Sequence, residues 1–138
     1  MSKRFFDTNI IVYLTEEEDK AKKCEALVES GGVISVQVLN ETVNVLRKKN
    51  RMTYAEISEF LAVIKLICQV VPITLETHEK ALSLVEKYRF SWFDSLIVAS
   101  ALESDCDECW SEDMHDGLVV ERSLTCLLYT SPSPRDRG

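Results

Sequence analysis

Apolar residues arrive along this chain in short blocks whose spacing switches between two periods. Phe5 and Phe6 form a brief apolar pair that predicts a buried strand, and Ile10 to Leu14 follow as an apolar run on a helix. Between them lies Asp7-Thr8-Asn9, with Asn9 placed to cap the helix that begins at Ile10. A second helix runs to about Glu29 with Ala21, Cys24 or Glu25, and Val28 on one face, and Ser30-Gly31-Gly32 stops it. Val33 to Val36 predict a second strand. Helical spacing returns from Gln37 to Lys49 through Val38, Thr42 and Val45 and through Leu39, Val43 and Leu46. This helix ends in Arg47-Lys48-Lys49-Asn50-Arg51, cations that suit a helix C-terminus and could also meet phosphate. Thr53 and Glu56 have capping-box spacing for a helix that buries Ile57, Phe60, Leu61, Ile64 and Cys68. Gln69 to Ile73 predict a third strand, which Pro72 assigns to a sheet edge. Thr74 or Thr77 starts the next helix, with Ala81, Leu84, Val85 and Tyr88 on one side. Leu96 to Leu102 are apolar nearly all round, the mark of a helix buried on most sides, and Asp94 lies in its first turn. Cys109-Trp110 predicts a very short fourth strand, and Asp116-Gly117 a turn before Leu118-Val119-Val120.

Strands that alternate with helices predict an α/β fold: a three-layer α/β/α sandwich with a central, mostly parallel sheet. A length of 138 residues suits one domain. Residues 126–138 are set apart, because Cys126 to Asp136 (CLLYTSPSPRD) resemble the translation of a sequencing-library adapter. The expected domain is therefore 1–125, with an artefactual or disordered tail at 126–138 and a truncated last strand. No apolar run approaches a membrane span and no signal-peptide pattern opens the chain, so a cytoplasmic location is expected, away from membranes. Five cysteines, an odd number, are expected to be reduced thiols. Cys106 and Cys109 have C-x-x-C spacing, but no second pair completes a zinc site.

A net charge of −7 argues against a protein that simply coats nucleic acid, but not against catalysis on it. Asp7 follows the first strand and Asp113 the fourth; Glu41 sits on the helix after the second strand, and Asp94 heads the buried helix. In a parallel sheet all four can meet at the carboxyl edge near a topological switch point. Gathered carboxylates repel and raise one another's pKa unless a dication lies between them, and an all-oxygen set suits Mg²⁺ or Mn²⁺. Two of the acids also have a plain structural reading. Asp7 can be a turn residue, and Asp94 is comfortable at a positive helix end.

Phe6-Asp7-Thr8-Asn9-Ile10, Leu39-Asn40-Glu41, Trp92-Phe93-Asp94-Ser95-Leu96 and Ser111-Glu112-Asp113-Met114 together resemble the acidic motifs of PIN-domain nucleases, most closely VapC-type toxins of toxin–antitoxin pairs. The resemblance spans roughly residues 3–125. It implies a Mg²⁺- or Mn²⁺-dependent endoribonuclease with catalytic Asp7, Glu41, Asp94 and Asp113. Metal would bind through Asp7, Asp94 and Asp113, Glu41 would hold or deprotonate the attacking water, and Asn9 and Ser111 would support the cluster. An RNA substrate, a small antitoxin and a homodimer through helices such as 37–49 and 54–68 are the implied partners. Two alternatives stand beside it. A non-catalytic binding module would use the acids as caps and surface groups. A different phosphohydrolase on the same kind of sheet would lack the second Asp that a phospho-aspartyl mechanism needs after Asp7.

Overall fold

The computed structural model describes residues 3–16, 19–112, 117–121 and 123–128. In chain order the elements are β1 (Arg4–Phe6), α1 (Thr8–Tyr13), α2 (Asp19–Glu29), β2 (Gly32–Ser35), α3 (Val36–Lys48) and α4 (Tyr54–Ile67). They continue with β3 (Cys68–Val71), α5 (Leu75–Tyr88), α6 (Trp92–Glu103), β4 (Glu108–Ser111), β5 (Val119–Val120) and β6 (Leu124–Leu128).

The strand order is β3-β2-β1-β4-β6-β5, parallel throughout except for β5 against β6. Successive strand residues point to opposite faces, and Phe5 and Phe6 of β1 are both fully buried, as is Val33 beside Ile34 in β2. Both faces of the sheet are therefore covered, which makes the α/β/α sandwich. From β1 the chain steps outward to β2 and β3, then crosses back to β4 on the other side of β1. The switch point lies between β1 and β4, where the carboxyl ends of the strands open a crevice. β3 occupies the edge, where the loss of an N–H at the adjoining Pro72 is harmless.

Local chemistry fixes the helices. Thr53 and Glu56 make a complete capping box at α4, with Glu56 N–H to Thr53 Oγ1 at 3.1 Å and Thr53 N–H to Glu56 Oε1 at 2.8 Å. Thr74 and Thr77 reciprocate at α5 in the same way. Every residue of α6 from Ser95 to Ala101 is buried, so this helix is the spine of the core. Gly32 is required at its place. A Cβ there would collide with the Phe6 ring and stand 2.9 Å from the Arg4 carbonyl oxygen of the neighbouring strand.

Two expectations change. Asp7, not Asn9, caps α1, which begins at Thr8. The domain boundary expected after Thr125 falls inside β6: Cys126 is fully buried and β6 runs to Leu128 beside β4, so the last strand is built in part from the segment set apart for its resemblance to an adapter translation.

Candidate active site

Asp7 is clamped on all sides. Its N–H donates to the Trp110 carbonyl of β4 (2.9 Å), and its own carbonyl accepts from Ile10 N–H (3.1 Å). Its Oδ1 accepts from Thr8 N–H at 2.6 Å and its Oδ2 from Ser111 Oγ at 2.8 Å. Only 6% of the residue is exposed. Its carboxyl is raised from 3.8 to about 6: burial is the largest cause, the Ser111 and Thr8 bonds pull the other way, and the charges of Asp94 and Glu41 add to the rise.

Glu41 comes from α3, which starts directly at the end of β2 because Ser35 caps it, accepting from Val38 N–H at 3.2 Å. Both Glu41 oxygens are held: Oε2 accepts from Thr8 Oγ1 (3.0 Å) and Oε1 from Gln37 Nε2 (2.8 Å). Asp94 stands in the first turn of α6, where its N–H donates to the Ser91 cap at 3.2 Å. A cavity of about 190 Å³ is lined by Asp7, Asn9, Glu41, Phe93, Asp94 and Ile97, among others. Three carboxylates from three separate elements thus face one space, and buried Ser111 holds Asp7 from the β4 side. Asp113 and Asp116 lie outside the described residues. Tyr13 is hydrogen-bonded to Glu112, and burial together with that carboxylate raises its phenol well above the ordinary range.

A sequence profile of the PIN domain matches residues 4–114. The chain belongs to the PIN-domain family. Solved structures resemble this PIN domain at low identity. The Mycobacterium tuberculosis VapC20 toxin, described as cleaving the sarcin–ricin loop, matches at a TM-score of 0.64 and 18% identity, over 78% of this chain and 87% of that one. A toxin–antitoxin complex from Klebsiella pneumoniae matches at 0.69 and 18%, over 89% and 96%. A DNA-bound VapBC complex from Salmonella typhimurium matches at 0.61 and 18%, over 94% and 99%. Among curated proteins compared by sequence, none matches.

Among the described residues, no three of His, Cys, Asp and Glu are close enough to form a closed ligand set in this PIN domain. The carboxylates that line the cavity offer oxygen donors only, the kind a hard divalent cation takes. Zinc finds no such fit at Cys106 and Cys109. All five cysteines are buried free thiols, and burial pushes Cys106 up to about 11.

Three residues around the carboxylates escaped sequence reasoning. Gln37 was legible in principle, one helical turn before Glu41 on the same face. Thr8 and Phe93 were not, since their contacts depend on how α1, α3 and α6 converge. A larger cavity of about 430 Å³ lies elsewhere, between Lys3, β3 and the α5–α6 pair. Of its acids Glu76, Glu103 and Asp105, Glu103 is engaged by Thr77 Oγ1 at 2.6 Å, and none of the acidic motifs reaches the cavity.

Proposed function

We propose that this PIN domain is a Mg²⁺- or Mn²⁺-dependent endoribonuclease and the toxin of a type II toxin–antitoxin pair. The observation that carries the reading is the convergence of Asp7, Glu41 and Asp94 on one cavity at the switch point of the sheet. Asp7 and Asp94, with Asp113 as a third ligand, would hold the ion. When bound, it supplies positive charge to a phosphate oxygen and lowers the pKa of water. Ser111 keeps Asp7 in its ligating orientation. Thr8 and Gln37 fix Glu41 so that it can receive the proton of an attacking water, and Asn9 lends a polar group at the cavity wall. The experiment is cleavage of structured RNA with Mg²⁺, with chelator, and by Asp7→Asn. Cleavage by wild type alone, and only with the metal, supports the reading; equal cleavage by both proteins refutes it.

The antitoxin needs a surface, and the α2–α4 face offers one. Leu14, Val28, Phe60, Val63, Ile64 and Ile67 line a groove of about 270 Å³ with Glu25 and Glu29 among its walls. Leu66 is 87% exposed beside it. An amphipathic helix with an apolar stripe and basic flanks is the partner this chemistry selects. A homodimer would draw on the same helix: Val38, Thr42 and Leu46 of α3 are committed to the core, so surplus apolar surface lies on α4. Sedimentation with and without the antitoxin tests both. An RNA substrate sets the site of action in the cytoplasm. Among the described residues, no helix is long and apolar enough to cross a membrane.

A further inference from the structure

The cavity of about 430 Å³ between Lys3, β3 and the α5–α6 pair shares no residue with the carboxylate cavity. Its volume is that of a small-molecule site, about 300–1,000 Å³. Two hydroxyl residues in its wall, Thr77 and Ser100, are each only 1% exposed. Thr77 Oγ1 is satisfied, donating to Glu103 and accepting from Thr74 N–H at 3.1 Å. Ser100 Oγ has no hydrogen-bond partner among the described residues. A buried hydroxyl left in that state is costly, and a ligand group that bonds to it removes the cost.

The charges of the wall say what kind of ligand. Three acids, Glu76, Glu103 and Asp105, stand against one lysine, Lys3. Glu76 has a local reason for its place, the first turn of α5, where the helix dipole favours a negative charge. Glu103 and Asp105 have the opposite setting. Glu103 is the last residue of α6 and Asp105 lies two residues beyond, at the negative end of a helix whose last turn holds no basic residue. Asp105 has a left-handed φ of 56°, which Asn or Gly would adopt without adding charge. A metal ion does not answer this potential, because among the described residues no three acids are close enough to share one. A longer cation with two separated charges can reach acids that are apart, and two charges match the excess of acids over lysine.

We infer that this cavity is a binding site for a small linear diamine. One ammonium group is held by Glu103 and Asp105 and donates an N–H to Ser100 Oγ, and the other is held by Glu76. The site is separate from the carboxylate cavity and does not depend on the nuclease reading.

The test is isothermal titration of the full chain in chelator at low ionic strength, with putrescine as the probe. Wild type is expected to bind a single putrescine at least about tenfold more tightly than butylamine, which has one amino group. Glu103→Gln and Ser100→Ala should each weaken putrescine binding at least about tenfold. The Ser100 hydroxyl has no partner of its own, so Ser100→Ala should melt at or above wild type without the diamine, which a packing role would not allow. Asp105→Asn keeps the left-handed backbone and removes only the charge, so it carries the test if Glu103→Gln does not fold. Asp94→Asn at the carboxylate cavity should leave putrescine binding unchanged. No saturable binding of putrescine by folded wild type would overturn the inference. Equal affinity for putrescine and butylamine, or unchanged affinity in the Ser100, Glu103 and Asp105 variants, would do the same. Loss of binding in Asp94→Asn would put the diamine on the carboxylate cavity and overturn it. Binding of glutarate in place of putrescine would make Lys3 the recognising group and overturn it too.

Discussion

Asp7 is a carboxylate whose surroundings work against its charge. Its pKa is raised from 3.8 to about 6. Such a group contributes stability that is fully present below pH 3.8 and is lost as pH rises through about 6. The metal-free protein therefore carries a penalty on the order of 3 kcal/mol at neutral pH from this one side chain. In chelator at pH 7.5, Asp7→Asn should melt above wild type, and the gap should close as pH falls towards 4; a gap that does not change with pH would contradict the assignment. Ser111 acts on the same carboxylate from behind. Its hydroxyl is fully buried and donates to Oδ2, so Ser111→Ala should lower metal affinity or cleavage by about 10–100-fold, as loss of a group supporting a ligand does. Metal titration with a cleavage assay measures it, and unchanged values would make Ser111 a packing residue only.

At the scale of elements, the strands and helices were legible because each carries its own local signal. The apolar pair at Phe5-Phe6, the capping box at Thr53 and Glu56, and the all-round apolar run after Asp94 fixed β1, α4 and α6 without reference to the rest of the chain. The start of α1 was misplaced because Asp and Asn cap helices about equally well, and Asp7 and Asn9 are both present. Only the register of β1 on β4, with Asp7 N–H on the Trp110 carbonyl, decides between them. β6 escaped because its residues resemble an adapter translation, and that origin does not prevent Cys126 and Leu127 from pairing with Cys109 and Trp110. The carboxylates were legible as residues, Asp7 at a strand end, Asp94 at a helix start and Glu41 one turn into α3. Gln37 could have been read one helical turn before Glu41, but Thr8 and Phe93 could not, because what they touch belongs to other elements or to the packed site. Two element-scale outcomes follow. Gly32→Ala should cost about 1–3 kcal/mol in denaturant unfolding, since the Arg4 carbonyl of the adjoining strand cannot yield. Thr53→Ala should cost about 1 kcal/mol through the lost capping box.

Over the whole molecule, the topology gathers charges that the sequence keeps far apart. Asp7 and Asp94 are separated by most of the chain, yet β1 and α6 bring them to one crevice because the chain crosses the sheet between β3 and β4. An unfilled cluster of this kind weakens the fold, and an ion that binds it strengthens the fold by mass action. Mn²⁺ at 100 times its Kd should stabilise wild type by about 2.7 kcal/mol, and Asp94→Asn should lose most of that gain in a thermal melt at constant ionic strength. The most direct measurement is an anomalous difference map from crystals soaked in Mn²⁺. The account predicts a peak in the cavity between Asp7 and Asp94, about 2.0–2.2 Å from a carboxylate oxygen of each. A map in which that cavity holds no peak, or in which the ion sits on acids elsewhere on the surface, would contradict it.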